Sequence, residues 1–288
     1  MWFLTLGDKI ADAPQRRGPT LRIAAASGTR KSSETIKAPE SRIIFYSWRV
    51  LVELTDWPDM NKRFLSALAA AILCVQSSFG QTVITSLPYT ISSSGTFVLG
   101  SSLAWPSATG NAITIAASDV TLDLGGHYLS HAGTANGNVA VYVHNAENVT
   151  IQNGIIVAFT YGVYYAGTTN LNSGNIVQNL RLTNVLNGIF LVGATLSKVT
   201  NNQIINFGAV GGTGVYLAGG GDIANGNIIS GFSAGIASFG NSYLFENTLS
   251  NCGTGLNMFS ATDKYRFNTT FNCSTAFSGG IAVNAENN

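Results

Sequence analysis

A small residue, in most cases glycine, recurs at one position of a short repeat, and this recurrence constrains the fold more than any other feature of the sequence. The members of this glycine column are Gly162, Gly188, Gly214, Gly235, Gly255 and Ala276, and an apolar residue follows each of them. The repeat has a period of about 20 to 27 residues, which is typical of solenoids, in which each unit stacks on the next. The sequence therefore predicts a stack of similar coils.

Three further positions repeat in phase with the glycine column. Three residues before it stands an apolar position, made of Phe159, Val185, Phe232, Cys252 and Cys273, to which we also assign Phe207, because residues 208–213 hold a small insertion. Three residues earlier again lies an aliphatic position, made of Ile156, Leu182, Ile204, Ile229 and Leu249, with Thr270 last. An asparagine position precedes that one by two residues and contains Asn202, Asn227, Asn247 and Asn268. Asparagine tolerates left-handed backbone geometry, and amides stacked about 4.8 Å apart can bond to one another, so we expect an asparagine ladder at a turn.

The period is too short for a strand, helix and strand unit, and apolar residues do not follow helical spacing. Short alternating segments such as residues 112–115, 120–124 and 149–151 indicate two or three strands per unit. One coil cannot bury its own apolar side chains, whereas stacking buries them at about 1.5–3 kcal/mol for each large one. The prediction is an all-β chain, a single-stranded right-handed parallel β-helix of about seven or eight coils over residues 110–288. Residues 81–109 are predicted to form the N-terminal cap or first coil.

The segment before the repeats resembles an export signal. Residues 60–80 begin Met-Asn-Lys-Arg, continue with about a dozen apolar residues and end with small ones, as secretory signal peptides do. The apolar run is shorter than the roughly 20 residues of a membrane-spanning helix, so we expect no integral membrane segment in the mature chain. Residues 1–59 are interpreted as an upstream extension outside the native product or as a disordered leader. The alternative is a genuine small segment, which the apolar stretch 43–54 favours.

Charge is scarce and unevenly distributed. Only four of the 15 basic residues lie after residue 64, and seven acidic residues lie after residue 80, so the repeats carry a formal charge of −3. No basic patch is present to bind nucleic acid. The sequence ends at Asn288 without a polar capping helix, and the unpaired edges of a last coil would then be available for contact with a partner.

Residues 113–127, followed by coils of the pattern G-[VI]-x-[LYF] with endings N-x-[IL]-x-[NG]-[FC], resemble bacterial right-handed parallel β-helix repeat proteins. These have the pectin-lyase-like fold and include NosD-type and carbohydrate-binding repeats. The resemblance implies a secreted, periplasmic or cell-surface protein whose long face meets polysaccharide or another surface glycan. Enzymes of this fold use clustered acidic residues, and no such cluster is visible in the sequence.

The catalytic candidates are Asp123, His127 and Glu147, which belong to two successive coils. Asp123 is predicted to point outward, in a column that continues with amides rather than with a second carboxylate. His131, His144 and Asp119 complete the densest titratable group, but the spacings match no ligand motif, so neither a metal nor a cofactor is predicted. The alternative interpretation is that these residues have a structural role at the surface or cap turns.

Tyrosines supply the ligand-binding candidates. Tyr142 and Tyr164 are expected to face solvent and could stack against sugar rings, with Tyr161 and Tyr216 in the same region, whereas the alternation places Tyr165 inside. Scattered structural tyrosines are the alternative.

Cys252 and Cys273 are 21 residues apart and occupy the same position of neighbouring coils. Stacking would bring their Cα atoms within disulfide range, in an oxidising compartment. Both a disulfide and a pair of packed thiols remain open, because a reduced cysteine also suits an apolar position.

The leading hypothesis for function is an exported, non-catalytic module that binds polysaccharide or serves as a cell-surface adhesive element. The alternative is a polysaccharide lyase or glycoside hydrolase of the pectin-lyase-like fold.

Overall fold

A computed structural model describes residues 80–133, 137–167, 173–208 and 211–283, together with the backbone of residues 21–25, 43–44 and 50–54. The chain divides into two units, Met1–Ser78 and Phe79–Asn288. The first unit contains strands β1 (Leu21–Ala25), β2 (Ile43–Ile44) and β3 (Val50–Leu54), which form an antiparallel sheet in the order β1-β3-β2. The predicted signal peptide lies outside the described residues except for Gly80. Its assignment, and the interpretation of residues 1–59, stay predictions.

The second unit is built from short strands. In chain order they are β4 (Thr82–Ile84), β5 (Tyr89–Ile91), β6 (Gly95–Leu99), β7 (Leu103–Trp105), β8 (Gly110–Ile115), β9 (Val120–Asp123), β10 (Tyr128–His131), β11 (Asn138–His144), β12 (Thr150–Val157), β13 (Tyr161–Ala166), β14 (Ile176–Thr183), β15 (Asn187–Thr195), β16 (Lys198–Thr200), β17 (Gln203–Ile205), β18 (Thr213–Gly220), β19 (Ile223–Asn225), β20 (Ile228–Ser230), β21 (Ala234–Ser238), β22 (Tyr243–Phe245), β23 (Thr248–Ser250), β24 (Thr254–Met258), β25 (Lys264–Arg266), β26 (Thr269–Phe271), β27 (Thr275–Ser278) and β28 (Ile281–Ala282).

All strand pairings in this unit are parallel. They form a 16-stranded sheet and a nine-stranded sheet, and the chain passes from one sheet to the other in every turn of the solenoid. The nine-stranded sheet has the order β27-β24-β21-β18-β15-β13-β11-β8-β5. Within the described residues there are about eight complete turns, from β6–β8 to β25–β27, with β4, β5 and β28 belonging to partial turns. The predicted all-β parallel solenoid is confirmed. Among these residues no helix is long and apolar enough to cross a bilayer.

The glycine column lies along the stack. Strand register pairs Val163 with Ile189, and Ile189 with Val215, so the preceding glycines occupy equivalent positions in successive turns. A Cβ atom at Gly235 would lie 2.7 Å from the carbonyl oxygen of Gly255 in the next turn and 2.7 Å from Leu249 Cδ2. Glycine is therefore used here because the backbones of adjacent turns approach too closely for a side chain.

The core runs the length of the solenoid as columns of like residues. The aliphatic position is fully buried at Ile156, Leu182, Ile204, Ile229 and Leu249. At the neighbouring apolar position Phe159, Val185, Phe232 and Cys252 are also buried. Phe207 is an exception: 70% of its surface is exposed, and its assignment to this inward position was wrong. Phe207 precedes the insertion at residues 208–213 directly, and it does not continue the buried column of Phe159, Val185, Phe232 and Cys252.

The asparagine ladder is present and buried. Asn202, Asn227, Asn247 and Asn268 are at most 1% exposed, and each accepts a hydrogen bond at its side-chain oxygen from the preceding turn. The left-handed backbone geometry, however, belongs to the residue before each ladder member. These residues are Asn201, Gly226, Glu246 and Phe267, with φ from 53° to 65°. The ladder asparagine is thus selected by its amide rather than by its backbone conformation.

Candidate functional site

A row of aromatic side chains covers the outer face of the nine-stranded sheet. We call this surface the aromatic stripe; it consists of Tyr142, Tyr161, Tyr164, Phe190, Tyr216, Phe239 and Phe259. Strand register places Tyr142, Tyr164, Phe190 and Tyr216 directly next to one another on β11, β13, β15 and β18. From Tyr142 to Tyr216 the stripe passes from turn to turn because these turns repeat the same outward position, and it continues to Phe239 and Phe259 two residues further along the chain in the next two turns.

The rings of the aromatic stripe form a continuous series of contacts. The centroids of Phe190 and Tyr216 are 4.8 Å apart with an interplanar angle of 6°, and those of Phe239 and Phe259 are 4.3 Å apart at 9°. Between these pairs, Tyr216 and Phe239 are separated by 4.9 Å. At the other end Tyr164 lies 5.8 Å from Tyr142 and 6.4 Å from Phe190, and Tyr161 packs within 5.3 Å of both Tyr164 and Phe190.

The alternation of a strand explains which rings face outward. Tyr165 is fully buried between the two outward residues Tyr164 and Ala166. After Tyr216 the outward position contains Ala237, and the next ring, Phe239, stands two residues further along the chain, directly after the end of β21. The aromatic stripe therefore shifts by two residues between Tyr216 and Phe239, and Ala166, Val192 and Ala218 occupy that shifted position in the earlier turns.

The aromatic stripe is uncharged, and its C-terminal part is well exposed. Phe239 and Phe259 are 42% and 60% exposed, respectively. Burial raises the pKa of Tyr164, and the neighbouring phenols of Tyr161, Tyr142 and Tyr216 raise it further, so this hydroxyl remains a neutral hydrogen-bond donor. Such a surface can stack against apolar faces and donate hydrogen bonds at its tyrosine edges.

A polar group ends the stripe on the N-terminal side. The hydroxyl of Tyr142 lies 3.3 Å from His144 Nδ1, and the Asn145 amide nitrogen lies 3.0 Å from His144 Nε2. The two rings of Tyr142 and His144 are stacked with centroids 5.9 Å apart. These groups offer hydrogen-bond donors and acceptors next to the aromatic surface.

The catalytic candidates lie elsewhere and serve structural contacts. Asp123, on the outer face of the 16-stranded sheet, accepts hydrogen bonds from Gly125 N, Gln152 Nε2 and Asn153 Nδ2 at 2.7 to 3.0 Å. Register places Val98 and Gln152 on either side of it, so no second carboxylate stands next to Asp123 in its column.

Glu147 accepts a bond from the Ser173 hydroxyl at 3.3 Å, and His127 is half-buried at the turn after β9. Within the described ranges, no three His, Cys, Asp or Glu side chains come close enough together to hold a metal ion. A catalytic role for Asp123, His127 and Glu147 stays a prediction.

The two cysteines of the repeats are free thiols in neighbouring turns. Cys252 is buried and donates to the carbonyl of Ser250 at 3.2 Å, whereas Cys273 is partly exposed. Burial raises the pKa of the Cys252 thiol to about 11. The arrangement matches packed thiols, and disulfide formation under oxidising conditions stays a prediction.

Three of the seven stripe residues, Phe190, Phe239 and Phe259, were not singled out from the sequence. Phe190 follows Gly188 by two residues, as Tyr164 follows Gly162 and Tyr216 follows Gly214. Phe239 and Phe259 each follow a member of the glycine column by four residues. Counting outward positions from the glycine column would have found all three.

Comparison with known proteins shows a similarity in fold to solved structures. No protein-family model matches the chain, and no curated protein matches it. One similar solved structure is the enzymatically active domain of tailspike protein 2 of bacteriophage CBA120, with 13% identity over 86% of this chain and a TM-score of 0.48. Another is the full-length tailspike protein 2 of an Escherichia coli O157:H7 bacteriophage, with 16% identity over 83% of this chain and a TM-score of 0.32.

The chain is a parallel β-helix repeat protein. It spans 49% and 40% of the lengths of the two tailspike chains that it matches. The function of this β-helix protein therefore has to be argued from its own surface, because one fold hosts many functions.

Proposed function

We propose that this β-helix protein is an exported, non-catalytic module that binds polysaccharide along the aromatic stripe. The observation that carries the proposal is the unbroken series of ring contacts from Tyr142 to Phe259, with centroid separations of 4.3 to 6.4 Å. The stripe extends over six turns, which at about 4.8 Å per turn gives a length on the order of 25 Å. A linear polymer lying along the axis would contact several rings at once.

The chemistry of the stripe suits sugars. The faces of sugar rings present C–H groups that pack on aromatic rings, while their hydroxyl groups need donors and acceptors at the edges of the surface. Tyr142, Tyr161, Tyr164 and Tyr216 supply hydroxyls beside the rings, and His144 adds a ring nitrogen. Rigid aromatic side chains also lose little conformational entropy on binding, which favours them on binding surfaces.

A binding role is preferred over catalysis because the acid residues are dispersed. Asp123 is held by three N–H groups and flanked in its column by Val98 and Gln152. Glycoside hydrolysis requires two carboxyl groups that face each other across the scissile bond. The arrangement around Asp123 lacks that partner within its own column.

The proposal is tested by a glycan array and by affinity electrophoresis with the full chain. The variant Phe190→Ala/Phe259→Ala removes two rings of the stripe, and Phe271→Ala, which truncates an aromatic residue that is 72% exposed on another sheet, is the matched control. We expect the double variant to bind its polysaccharide at least tenfold more weakly, a change of about 1.4 kcal/mol or more, and the control to bind normally. Equal binding by the two variants would refute the role of the stripe.

The enzymatic alternative is tested on the same polymers. Release of oligosaccharides from pectin or alginate by the full chain, abolished in Asp123→Asn, would replace the binding module with a lyase or hydrolase. Intact polymer after prolonged incubation is the result that the proposal expects.

A further inference from the structure

Arg266, at the end of β25, packs against three aromatic rings on the outer face of the 16-stranded sheet. Its guanidinium carbon lies 5.2 Å from the centroid of Phe267, 5.4 Å from that of Tyr243 and 5.8 Å from that of Phe245. Strand register places Phe245 directly beneath Arg266 and Tyr243 beneath Lys264. This cluster does not belong to the aromatic stripe, which lies on the nine-stranded sheet.

Within the part of the chain that the structure describes, one N–H donor of the Arg266 guanidinium is left without an acceptor. Its Nε atom is buried and has no hydrogen-bond partner there. A buried donor without an acceptor costs about 1–3 kcal/mol, so an arginine is expensive at this position unless something else compensates. Aromatic rings surround the guanidinium, and they supply no conventional acceptor for its Nε–H group.

A second cation stands on the same face. Lys264 is exposed and two residues from Arg266, and Tyr265 between them points toward the core side and packs against Phe277. Next to Lys264 lies an open depression of about 360 Å³, lined by Asn241, Ser242, Tyr243, Thr262, Lys264 and Ile281. Tyr243 lines this depression, and its ring also contacts the Arg266 guanidinium, so the depression adjoins the arginine.

The chemistry of this cluster selects an anion with at least two oxygens. Packing among three aromatic rings restricts the orientation of the guanidinium, and paired N–H groups of an arginine fit carboxylate, sulfate or phosphate oxygens in a bidentate manner. Because the side chain is already ordered, binding would cost less conformational entropy than at a free arginine. Lys264 and Arg266 are two of the four basic residues of the repeats, and they stand on one face of the same strand.

We propose that Arg266 and Lys264 form an anion-binding site that takes the carboxylate or sulfate group of an acidic polysaccharide. The inference rests on the proposed function for the nature of the ligand, and it adds a second point of attachment on a different sheet. Acidic polymers would then bind more tightly than neutral ones, with an affinity that falls as salt rises.

The test measures binding of the full chain to polygalacturonate, dextran sulfate and neutral dextran at low and high salt. The variant Arg266→Gln removes the guanidinium, and Arg181→Gln is the matched control, because Arg181 is an exposed arginine on the same sheet four turns away. We expect Arg266→Gln to weaken binding of one acidic polymer at least tenfold and Arg181→Gln to change it less than twofold. The polymer that responds identifies the group as carboxylate or sulfate.

A second variant distinguishes loss of the site from misfolding of the chain. Lys264→Gln changes an exposed side chain, and we expect it to weaken acidic-polymer binding about threefold and to leave the melting temperature unchanged. The proposal is overturned if neither acidic polymer binds better than dextran, or if Arg266→Gln and Arg181→Gln bind alike. Loss of binding in Phe190→Ala/Phe259→Ala alone would support the stripe and reject this site, and loss in Arg266→Gln alone would do the reverse.

Discussion

Asn202 donates two hydrogen bonds, from its backbone nitrogen and its side-chain nitrogen, to the same atom, Oδ1 of Asn227 in the next turn, each at 3.0 Å. Asn227 repeats the arrangement toward Asn247, and its side-chain nitrogen also donates to the carbonyl of Val199 at 2.8 Å. The amide therefore satisfies backbone groups at a corner where strand pairing is interrupted. The ladder connects five turns at this corner, from Leu180 to Asn268.

Asn227→Asp tests the ladder. The carboxylate has the shape of the amide but cannot donate to Val199 O or Asn247 Oδ1, and it would place a charge in a fully buried position. We expect a loss of about 3–5 kcal/mol in the free energy of unfolding, measured with urea at pH 7. Asn201→Asp, at the exposed position directly before the ladder member Asn202 one turn earlier, is the control and should change stability by less than about 0.5 kcal/mol. A similar loss in both variants would contradict the ladder's role.

The glycine column predicts a position-specific cost for one methyl group. At Gly235 a Cβ atom would meet the Gly255 carbonyl and the Leu249 side chain at 2.7 Å, whereas at Gly220 nothing lies within 4 Å. Gly235→Ala should destabilise the chain by about 3 kcal/mol through overpacking, and Gly220→Ala should be neutral or slightly stabilising. Thermal unfolding of the two variants provides the measurement. Equal melting temperatures would show that the turns are not as closely stacked as described.

A buried acid makes stability depend on pH. Asp222 is fully buried, its Oδ1 accepts a bond from Ser197 N at 3.0 Å, and its other oxygen has no partner. Burial raises the pKa of this carboxyl to about 6. Because the folded state holds the proton more tightly than the unfolded state, stability is greatest below about pH 4 and falls as the pH rises to about 6.

Asp222→Asn should remove this dependence. Asn175 occupies the equivalent position two turns earlier and its Oδ1 accepts a bond from Val149 N at 2.9 Å, so an asparagine suits the site. We expect the variant to be more stable than the wild type by up to about 3 kcal/mol at pH 7 and nearly equal to it at pH 4. The check is urea unfolding at both pH values. A variant that is less stable at pH 7 would show that the carboxylate is charged and well accommodated.

The two cysteines of the repeats should differ in reactivity. With its pKa raised to about 11 and its side chain buried, the Cys252 thiol is expected to resist iodoacetamide at pH 8, whereas the partly exposed Cys273 should be modified first. Peptide mass spectrometry of the native chain distinguishes them. Protection of both, reversed by a reducing agent, would instead demonstrate the disulfide that their one-turn spacing allows.

Much of the architecture follows from the sequence because stacking makes every core position appear several times. Ile204, Ile229 and Leu249 can be aligned by eye, and each is fully buried in the same column. Phe207 was assigned wrongly because an insertion breaks the count between Ile204 and Gly214, and composition cannot show which way the chain turns there. The left-handed residues were missed by one position, since Glu246 and Phe267 are unusual in that conformation.

The candidate site was only partly predictable. Tyr142 and Tyr164 stand out because tyrosine is common at sugar-binding surfaces, but Phe239 and Phe259 look like core residues until the register is known. Register also determines which side chains stand next to Asp123 in the adjacent turns, and these are Val98 and Gln152. A single repeat cannot provide this information, because facing inward or outward depends on how successive turns align.

The most direct test of the account is a crystal structure of the chain with a bound oligosaccharide from the polymer that it binds best. We expect sugar rings packed on Phe190, Tyr216 and Phe239, with the polymer running along the solenoid axis. An oligosaccharide bound instead around Asp123 and His127, with the aromatic stripe empty, would contradict the central claim.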